Sequence, residues 1–325
     1  MTNSNPTPML RQYQELKQQH PGTLLFFRLG DFYELFFDDA LTGSRELQIT
    51  LTARHKDSGN PIPMCGVPHH SAANYIARLV RKGYRVAICE QTEEAGKTKK
   101  LVRREVVRIV TPGTPIDPQL LEAREPVFLA AICTAGETIG AAFLDISTGE
   151  FRVTQETGRD SWTRIRAALE SYAPRELLFP TSLGALIRAS LSGKVQTAPL
   201  PLESSNGAAH AREDFGFDVA LTPLDDWQWQ RDDCFTLLRD HFKVKALDGY
   251  GLAKKDEAIR AAGACLRYAR ETQRAAAEHV TDLVYFEPQD HLVNPRELRC
   301  LHDTLGIDAT QTRDVFRNGT REQFD

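Results

Sequence analysis

Residues 24–37 read LLFFRLGDFYELFF, and this stretch decides the fold of the amino-terminal part. Two runs rich in aromatic and aliphatic residues, 24–29 and 32–36, flank Gly30-Asp31. Such runs on either side of a turn predict two β-strands. Successive residues of a strand point to opposite faces, so one face holds Phe32, Glu34 and Phe36, and the other holds Tyr33, Leu35 and Phe37. At least one of these faces must belong to a core.

The residues on either side extend this pair of strands into a small mixed α/β unit. Thr7-Pro8, followed by apolar residues at helical spacing, predicts a helix that ends at Pro21-Gly22. Ser71 is expected to cap an amphipathic helix that ends at Gly83, and residues 85–89 and 105–110 are expected to form strands. Residues 111–118 hold three prolines and a glycine, which predicts a domain boundary. We therefore expect a first domain over residues 1–115.

Residues 116–250 predict a second domain of α/β class. Runs at 127–133, 138–145 and 150–153 predict an antiparallel meander of three strands. A helix with Trp162, Ile165, Leu169 and Tyr172 facing inward and a strand at 176–179 follow, an order that predicts a three-layer α/β domain. An alanine-rich run from Leu252 to about His279 predicts a helix of some seven turns. That helix is expected to begin a third, helical domain over 251–293, and residues 294–325 form a charged tail.

The composition is that of a globular protein. The chain has 325 residues, of which 41% are hydrophobic and 26% charged, and this apolar content excludes a disordered chain. No window approaches the ~18 uninterrupted apolar residues of a membrane helix, and the polar start lacks the layout of a signal peptide. We therefore expect a cytoplasmic protein. The six cysteines are too scattered for a metal pair or a disulfide scaffold, which predicts buried free thiols.

The net charge of −4 conceals an asymmetry between the two parts of the chain. Residues 1–115 hold 16 Lys and Arg against 11 Asp and Glu, whereas residues 116–325 hold 24 against 33. A basic amino-terminal module is what attraction to phosphate groups requires. The two parts are therefore expected to meet different partners.

Two motifs suggest a nucleotide or a metal site, and both have a simpler interpretation. Gly96-Lys97-Thr98 resembles a P-loop, but Gln91 stands where the motif needs its first glycine. We expect a basic loop there, whose lysines are free to touch phosphates. His69-His70 has no cysteine or acidic partner at ligand spacing, so no metal or cofactor is expected.

Four carboxylates near the first strands suggest a second kind of chemistry. Asp31, Glu34, Asp38 and Asp39 form an acidic cluster that could hold Mg²⁺ for a nuclease. Turn and capping roles account for the three aspartates and leave only Glu34 without a local structural role. Beside it, Phe32 is either a half-buried strand residue or an exposed wedge. An exposed ring next to an acid on a basic module suits insertion between the base pairs of a deformable step.

Several short motifs occur in a fixed order along the chain. They are Thr7-Pro8-Met9, GDFYELF at 30–36, PIPM at 61–64, VAICEQ at 86–91, VRIVTPGT at 107–114, LDISTG at 144–149 and YARETQ at 268–273. In these motifs and their order the chain resembles the amino-terminal part of the bacterial MutS family of DNA mismatch recognition proteins. The resemblance extends to about Leu292.

The resemblance implies a mismatch-binding domain, an RNase H-like connector domain and the start of the helical core and lever. In that family a Phe-x-Glu motif reads the lesion. By resemblance, Phe32 stacks on the mispaired base from the minor groove and Glu34 hydrogen-bonds that base. The residues expected to hold phosphates are Arg28, Arg54, Lys97, Lys99 and Lys100. The connector of the family carries no nuclease activity, so Asp145 is expected to be a structural residue at a strand end.

The resemblance also bears on activity and partners. The family continues through a P-loop domain that binds ATP and Mg²⁺, dimerises with the help of that domain and works with MutL. Residues 294–325 do not resemble the expected continuation, so we expect a fragment without ATP hydrolysis or the ATPase-mediated homodimer, whose connector still contacts a MutL-type partner. Two alternatives stay open. One is a Mg²⁺-dependent nuclease that uses the acidic cluster, and the other is a protein-interaction fragment that binds DNA weakly and without specificity.

Overall fold

A computed structural model describes residues 7–54, 61–92, 102–114, 126–185, 209–210, 219–273 and 277–288. The predicted α/β class is confirmed, because two mixed sheets carry helices on their faces. The elements of the first domain are α1 Pro8–Gln19, β1 Thr23–Leu29, β2 Phe32–Phe36, α2 Phe37–Leu47, β3 Thr52–Arg54, β4 Ile62–Pro68, α3 Ala72–Arg81, β5 Arg85–Gln91 and β6 Arg104–Val110.

The first sheet has the strand order β3-β4-β2-β1-β5-β6. β1 runs antiparallel to β2 and parallel to β5, and both of its faces are buried. Leu24 and Phe26 belong to a core with α2 and α3, whereas Leu25 and Phe27 face α1 on the other side. The near-continuous apolar run of β1 is the pattern expected of a strand with both faces covered. The first domain is therefore a sheet between two helical layers.

Two helix starts differ from the expected capping. Ser71 precedes α3 but donates its hydroxyl to the carbonyl oxygen of Pro68 at 3.2 Å. Asp38 and Asp39 lie inside the first turn of α2, and neither caps it, because α2 follows β2 without a loop. Asp39 is instead buried in the core between α1 and β1.

The second domain contains the elements β7 Leu129–Ala135, β8 Thr138–Asp145, β9 Glu150–Thr157, α4 Ser161–Tyr172, β10 Glu176–Pro180, β11 Ala209–His210, β12 Ala220–Leu224, α5 Arg231–Phe242, α6 Asp256–Gln273 and β13 Val284–Tyr285. Its sheet has the order β11-β12-β10-β7-β8-β9-β13. The antiparallel meander β7-β8-β9 is confirmed, and β10 runs parallel to β7 and to β12. α4 covers one face, while α5 and α6 cover the other, so the domain has three layers.

The alanine-rich helix is shorter than predicted and packs differently. α6 spans 18 residues, about five turns, and the chain then returns to the sheet to pair β13 with β9. Small residues let α6 approach the sheet closely, since a Cβ placed on Gly140 of β8 would lie 2.1 Å from the carbonyl oxygen of Glu257. The buried residues Ala262 and Cys265 of α6 share a core with β7 and β8. The structure thus places this helix in the core of the second domain instead of at the start of a third.

A buried carboxylate joins the two domains. Glu176 of β10 accepts hydrogen bonds from the backbone N–H of Gly113 at 3.1 Å, the hydroxyl of Thr222 at 2.7 Å and the hydroxyl of Tyr268 at 2.6 Å. The guanidinium of Arg85, at the start of β5, lies 5.6 Å from the centre of the Tyr268 ring. We call Arg85, Gly113, Glu176 and Tyr268 the interdomain joint.

The boundary predicted at residues 111–118 is therefore packed where the structure describes it. Thr111 and Thr114 are fully buried, and their hydroxyl oxygens lie 2.8 Å apart. Gln273, the last residue of α6, donates its side-chain amide to the carbonyl oxygen of Thr114 at 2.6 Å. The joint thus connects the first domain, by way of its last described residues, to α6 and β10.

The state of the cysteines and the character of the helices match what the composition predicts. Cys65, Cys89, Cys133, Cys234 and Cys265 are buried thiols outside any disulfide, as predicted, and Cys300 lies outside the described residues. Burial raises the pKa of Cys65 to about 12 and that of Cys234 to about 11, so these thiols stay protonated and unreactive at neutral pH. Among the helices that the structure describes, none is both long and apolar enough to cross a bilayer.

Candidate nucleic-acid interface

Phe32 is presented by the turn between β1 and β2. The turn consists of Gly30 and Asp31, and Gly30 adopts a φ of +57°, in the left-handed region that glycine enters without strain. β2 begins at Phe32, which pairs with Leu29 on one side and with Pro68 on the other. The Phe32 side chain is 47% exposed. The ring therefore lies on the surface, as the wedge interpretation requires.

The helix α1 explains why two phenylalanines on one face of β2 differ. Phe36 is fully buried, and its ring packs edge-on against Tyr13 of α1 with 5.1 Å between ring centres. Phe32, four residues earlier on the same face, receives no such cover. This face is consequently core at one end and surface at the other.

Glu34 lies on that face between the two phenylalanines. Its side chain is 22% exposed, and one carboxylate oxygen is 3.4 Å from the guanidinium of Arg54. Burial raises the pKa of the Glu34 carboxyl, and the nearby Arg54 partly opposes that shift. The site therefore holds an acid that gains a proton more readily than a solvated glutamate does.

Arg54 brings a positive charge to the same surface from β3. Its guanidinium lies 5.9 Å from the centre of the Phe36 ring, and its side chain is 39% exposed. Phe32, Glu34 and Arg54 are thus an aromatic group, an acid and a base on one side of the sheet.

Gly66 was not singled out in the sequence, although it makes room for Glu34. Gly66 lies in β4 and pairs with Glu34 of β2. A Cβ on Gly66 would lie 3.5 Å from the Cγ of Glu34 and 3.3 Å from the carbonyl oxygen of Tyr33. A glycine that interrupts an apolar strand run is the signal that could have revealed it.

Arg28 lies on the opposite face of the sheet from Phe32. It pairs with Tyr33 in the β1–β2 register, and its guanidinium stacks over the Tyr33 ring at 5.5 Å. One terminal nitrogen is 3.8 Å from the Glu90 carboxylate. The structure thus separates Arg28 from Arg54, and its contact with a phosphate stays a prediction. The other three basic residues predicted to bind DNA, Lys97, Lys99 and Lys100, lie outside the described residues.

Matches to known protein families identify the two domains. Residues 7–119 match the family model of MutS domain I, and residues 127–281 match that of MutS domain II. The chain belongs to the MutS family. The sheet that carries Phe32 and Glu34 is thus MutS domain I, and the sheet that packs against α6 is MutS domain II.

Curated relatives agree with this assignment. The "DNA mismatch repair protein MutS" of Solibacter usitatus is 48% identical over 93% of this chain and 32% of its own length. The proteins of the same name from Myxococcus xanthus and Desulfatibacillum aliphaticivorans are 43% and 40% identical, over 97% and 99% of this chain and 32% and 33% of their own lengths. The chain spans about a third of the length of the curated MutS relatives it matches.

The acidic residues of MutS domain I do not form one cluster. Asp39 is buried and accepts hydrogen bonds from Tyr13, Lys17 and the backbone of Leu25, whereas Glu34 pairs with Arg54. Nowhere in the described part of the chain do three His, Cys, Asp or Glu side chains meet as a metal site. The nuclease alternative is therefore not supported.

In MutS domain II, Asp145 is buried at the end of β8. One of its carboxylate oxygens accepts hydrogen bonds from the backbone N–H of Ser147 at 2.9 Å and from the Ser147 hydroxyl at 2.6 Å. These bonds close the turn between β8 and β9, which is the structural role expected of Asp145.

Proposed function

We propose that this chain binds duplex DNA that carries a mispaired or unpaired base, and that it serves DNA mismatch repair. The observation that carries the proposal is the exposed Phe32 ring beside the half-buried Glu34 on MutS domain I. Single exposed apolar residues are common on protein surfaces. Here the ring is held at the start of a strand, next to an acid and a base, and the relatives that share these domains are named for DNA mismatch repair.

In this proposal Phe32 tests how easily a base step opens. A phenyl ring inserted from the minor groove unstacks one step and kinks the duplex. The cost of that kink is lowest where pairing and stacking are already weak, so a mismatch is selected by deformability and not by sequence. No preference for particular flanking bases is expected.

Glu34 and Arg54 lie together beside the inserted ring. Glu34 hydrogen-bonds the displaced base: its protonated form donates to a base acceptor and its ionised form accepts from a base N–H. Arg54, with Lys97, Lys99 and Lys100, is proposed to hold phosphates, whereas the phosphate contact of Arg28 stays a prediction because Arg28 lies on the other face of the sheet. The excess of basic residues over residues 1–115 supports this arrangement.

Three further proposals concern the rest of the chain. MutS domain II contacts a MutL-type repair partner. The chain by itself binds neither ATP nor Mg²⁺ and hydrolyses no ATP, because Gln91 stands where a P-loop needs its first glycine. Without ATP binding it does not form the ATPase-mediated homodimer. Its location is cytoplasmic. Saturable ATP binding that disappears in Lys97→Ala would contradict the second of these.

The proposal is tested by comparing three duplexes of one sequence context. One carries a G·T mismatch, one carries a single unpaired base and one is fully paired. Fluorescence anisotropy across a salt series measures the dissociation constant and its salt dependence for each. We expect tighter binding of the two lesion duplexes at every salt concentration. Equal affinities for the three duplexes that weaken together as salt rises would favour the alternative of a protein-interaction fragment. Cleavage of DNA that depends on Mg²⁺ would favour the nuclease alternative.

A further inference from the structure

We infer that Arg28, Tyr33, His69 and Glu90 position the β1–β2 turn, and with it Phe32, from the face of the sheet opposite to the wedge. We call these four residues the bracing cluster. The inference rests on the proposed function, because it assigns positioning residues to the same DNA site. None of the four needs to touch DNA for this role.

The carbonyl oxygen of each turn residue is held by the bracing cluster. The Nε of Arg28 donates to the carbonyl oxygen of Gly30 at 2.5 Å. The backbone N–H of His69 donates to the carbonyl oxygen of Asp31 at 2.8 Å. Because Phe32 follows these two residues directly, both bonds restrain the peptide units that lead into the wedge.

Glu90 ties the side chains of the cluster together. One of its carboxylate oxygens accepts a hydrogen bond from the Tyr33 hydroxyl and lies 4.0 Å from Nε2 of His69. The other oxygen lies 3.8 Å from the Arg28 guanidinium. The rings of Tyr33 and His69 pack at 5.4 Å between centres. Burial and the bond to Glu90 raise the pKa of Tyr33 above its usual range, so the hydroxyl keeps the proton that it donates.

This arrangement brings together residues from three sequence motifs, and the proposed function gives none of these four residues a role at the inserted ring. Arg28 and Tyr33 flank the GDF turn, Glu90 comes from VAICEQ, and His69 comes from Pro68-His69-His70. A wedge deforms a base step only if its own backbone does not yield, and a network anchored on four different segments supplies that stiffness.

The cluster also gives Arg28 a different role from the phosphate contact predicted for it. Its side chain is only 18% exposed, and its charge faces the Glu90 carboxylate. A guanidinium that stacks on a ring and donates to a carbonyl oxygen cannot be replaced by an ammonium, whereas a phosphate contact largely can. Arg28→Lys therefore distinguishes the two roles.

The DNA experiment compares wild type, Arg28→Lys, Arg28→Gln and Glu90→Gln in the full chain. Glu105→Gln is the matched control, because Glu105 pairs with Glu90 in the β5–β6 register but forms its ion pair with Arg103. We expect each of the three cluster variants to lower the mismatch-to-match affinity ratio about tenfold, the effect of losing one charge-assisted hydrogen bond. The logarithmic salt dependence should stay as in wild type. An intact ratio in Arg28→Lys, with a slope about 0.9 smaller in Arg28→Gln, would make Arg28 a phosphate contact and overturn the inference.

A second measurement, on the protein without DNA, tests the bracing cluster separately from the proposed function. The exchange rate of the His69 amide proton reports how firmly the turn is held, since that amide donates to Asp31. We expect exchange about tenfold faster in Arg28→Gln and Glu90→Gln, and unchanged in Glu105→Gln. Unchanged exchange in the cluster variants overturns the inference. If wild type shows no mismatch preference, the proposed function fails. The exchange rate of the His69 amide then still shows whether the bracing cluster holds the turn.

Discussion

Phe32 and Phe36 provide a matched pair of side chains on one face of one strand. Phe32 is 47% exposed and Phe36 is fully buried under α1. We expect Phe32→Ala to change the free energy of unfolding by no more than about 0.5 kcal/mol, as for other surface positions. The same change should abolish mismatch preference, because base stacking on an aromatic ring contributes about 1–3 kcal/mol to binding.

Phe36→Ala is the contrasting variant. Truncation of a buried phenylalanine costs about 3–5 kcal/mol of stability, so this protein should unfold at much lower urea concentration. Urea unfolding of both variants, with binding measured on the folded fraction, checks the pair. A large stability loss in Phe32→Ala with intact discrimination would show that Phe32 belongs to the core.

Glu34 supports a prediction about pH. Burial raises its pKa, so its contribution to folding is most favourable in acid and falls as the pH rises through the raised value. In matched DNA an ionised Glu34 meets no displaced base and only repels phosphates. We therefore expect Glu34→Ala to bind matched duplex more tightly than wild type and to have a lower mismatch-to-match ratio.

Measuring DNA affinity across a pH series distinguishes the effect of protonating Glu34 from the effect of protonating the histidines. As the pH falls from 8 to 6 the wild type should gain affinity for matched DNA more steeply than Glu34→Ala, since only the wild type has a carboxyl with a raised pKa at this position. Histidine protonation strengthens binding equally in both proteins. Matched-duplex affinity that is unchanged or weaker in the mutant removes this role for Glu34.

At the scale of elements, one buried carboxylate adds polar links between α1 and the first sheet to the apolar contacts between them. Asp39, in the first turn of α2, accepts hydrogen bonds from the Tyr13 hydroxyl at 2.9 Å, the Lys17 ammonium at 2.7 Å and the Leu25 amide at 3.0 Å. Loss of one partner of a buried ion pair costs about 3–5 kcal/mol, so Asp39→Ala should lower the stability of the first domain by this amount. Asp38→Ala, at the exposed neighbouring position, should cost no more than about 1 kcal/mol. Equal losses in urea unfolding would refute the anchoring role.

The sequence could predict elements that depend on local pattern. β2 and β8 were predicted with the bounds that the structure has, because alternation and turn residues act over a few positions. The role of Asp39 could not be predicted, since its partners come from α1 and β1 and meet it only when these elements pack. For the same reason the pattern could not show that the chain leaves α6 at Gln273 to add β13 to the sheet.

For the candidate site, too, local pattern predicted which residues share a face but not which of them are exposed. Strand alternation placed Phe32 and Glu34 on one face, which the structure confirms. It could not show that α1 covers Phe36 and leaves Phe32 uncovered, so the exposure of the Phe32 ring was undecided. The β1–β2 register, which the turn length sets, puts Arg28 opposite Tyr33 and hence on the other face from Arg54.

At the scale of the whole molecule, the interdomain joint predicts a single unfolding transition. All three tryptophans, Trp162, Trp227 and Trp229, belong to the second domain, so their fluorescence reports that domain, whereas far-UV circular dichroism reports both. Glu176 is buried and bonded to Gly113 and Tyr268, and Arg85 stacks on the same tyrosine. In wild type we expect the two signals to change together as urea rises.

Glu176→Ala should separate the two signals. It leaves buried donors without an acceptor and the Arg85 charge without a counter-charge, a loss of about 3–5 kcal/mol that falls on the contact between the domains. Glu170→Ala, on the exposed side of α4, is the control and should leave the transitions coincident. Coincident curves in Glu176→Ala would show that the joint does not couple the domains.

The joint also has a consequence for the order of events during synthesis. Arg85 and Gly113 leave the ribosome with MutS domain I, whose sheet is complete at Val110. Glu176 and Tyr268 follow much later. At about 5–20 residues per second, Tyr268 emerges on the order of ten seconds after the first domain is complete. For that interval the nascent chain carries a folded MutS domain I whose Arg85 still faces water, and its attachment to MutS domain II follows as a separate, later step.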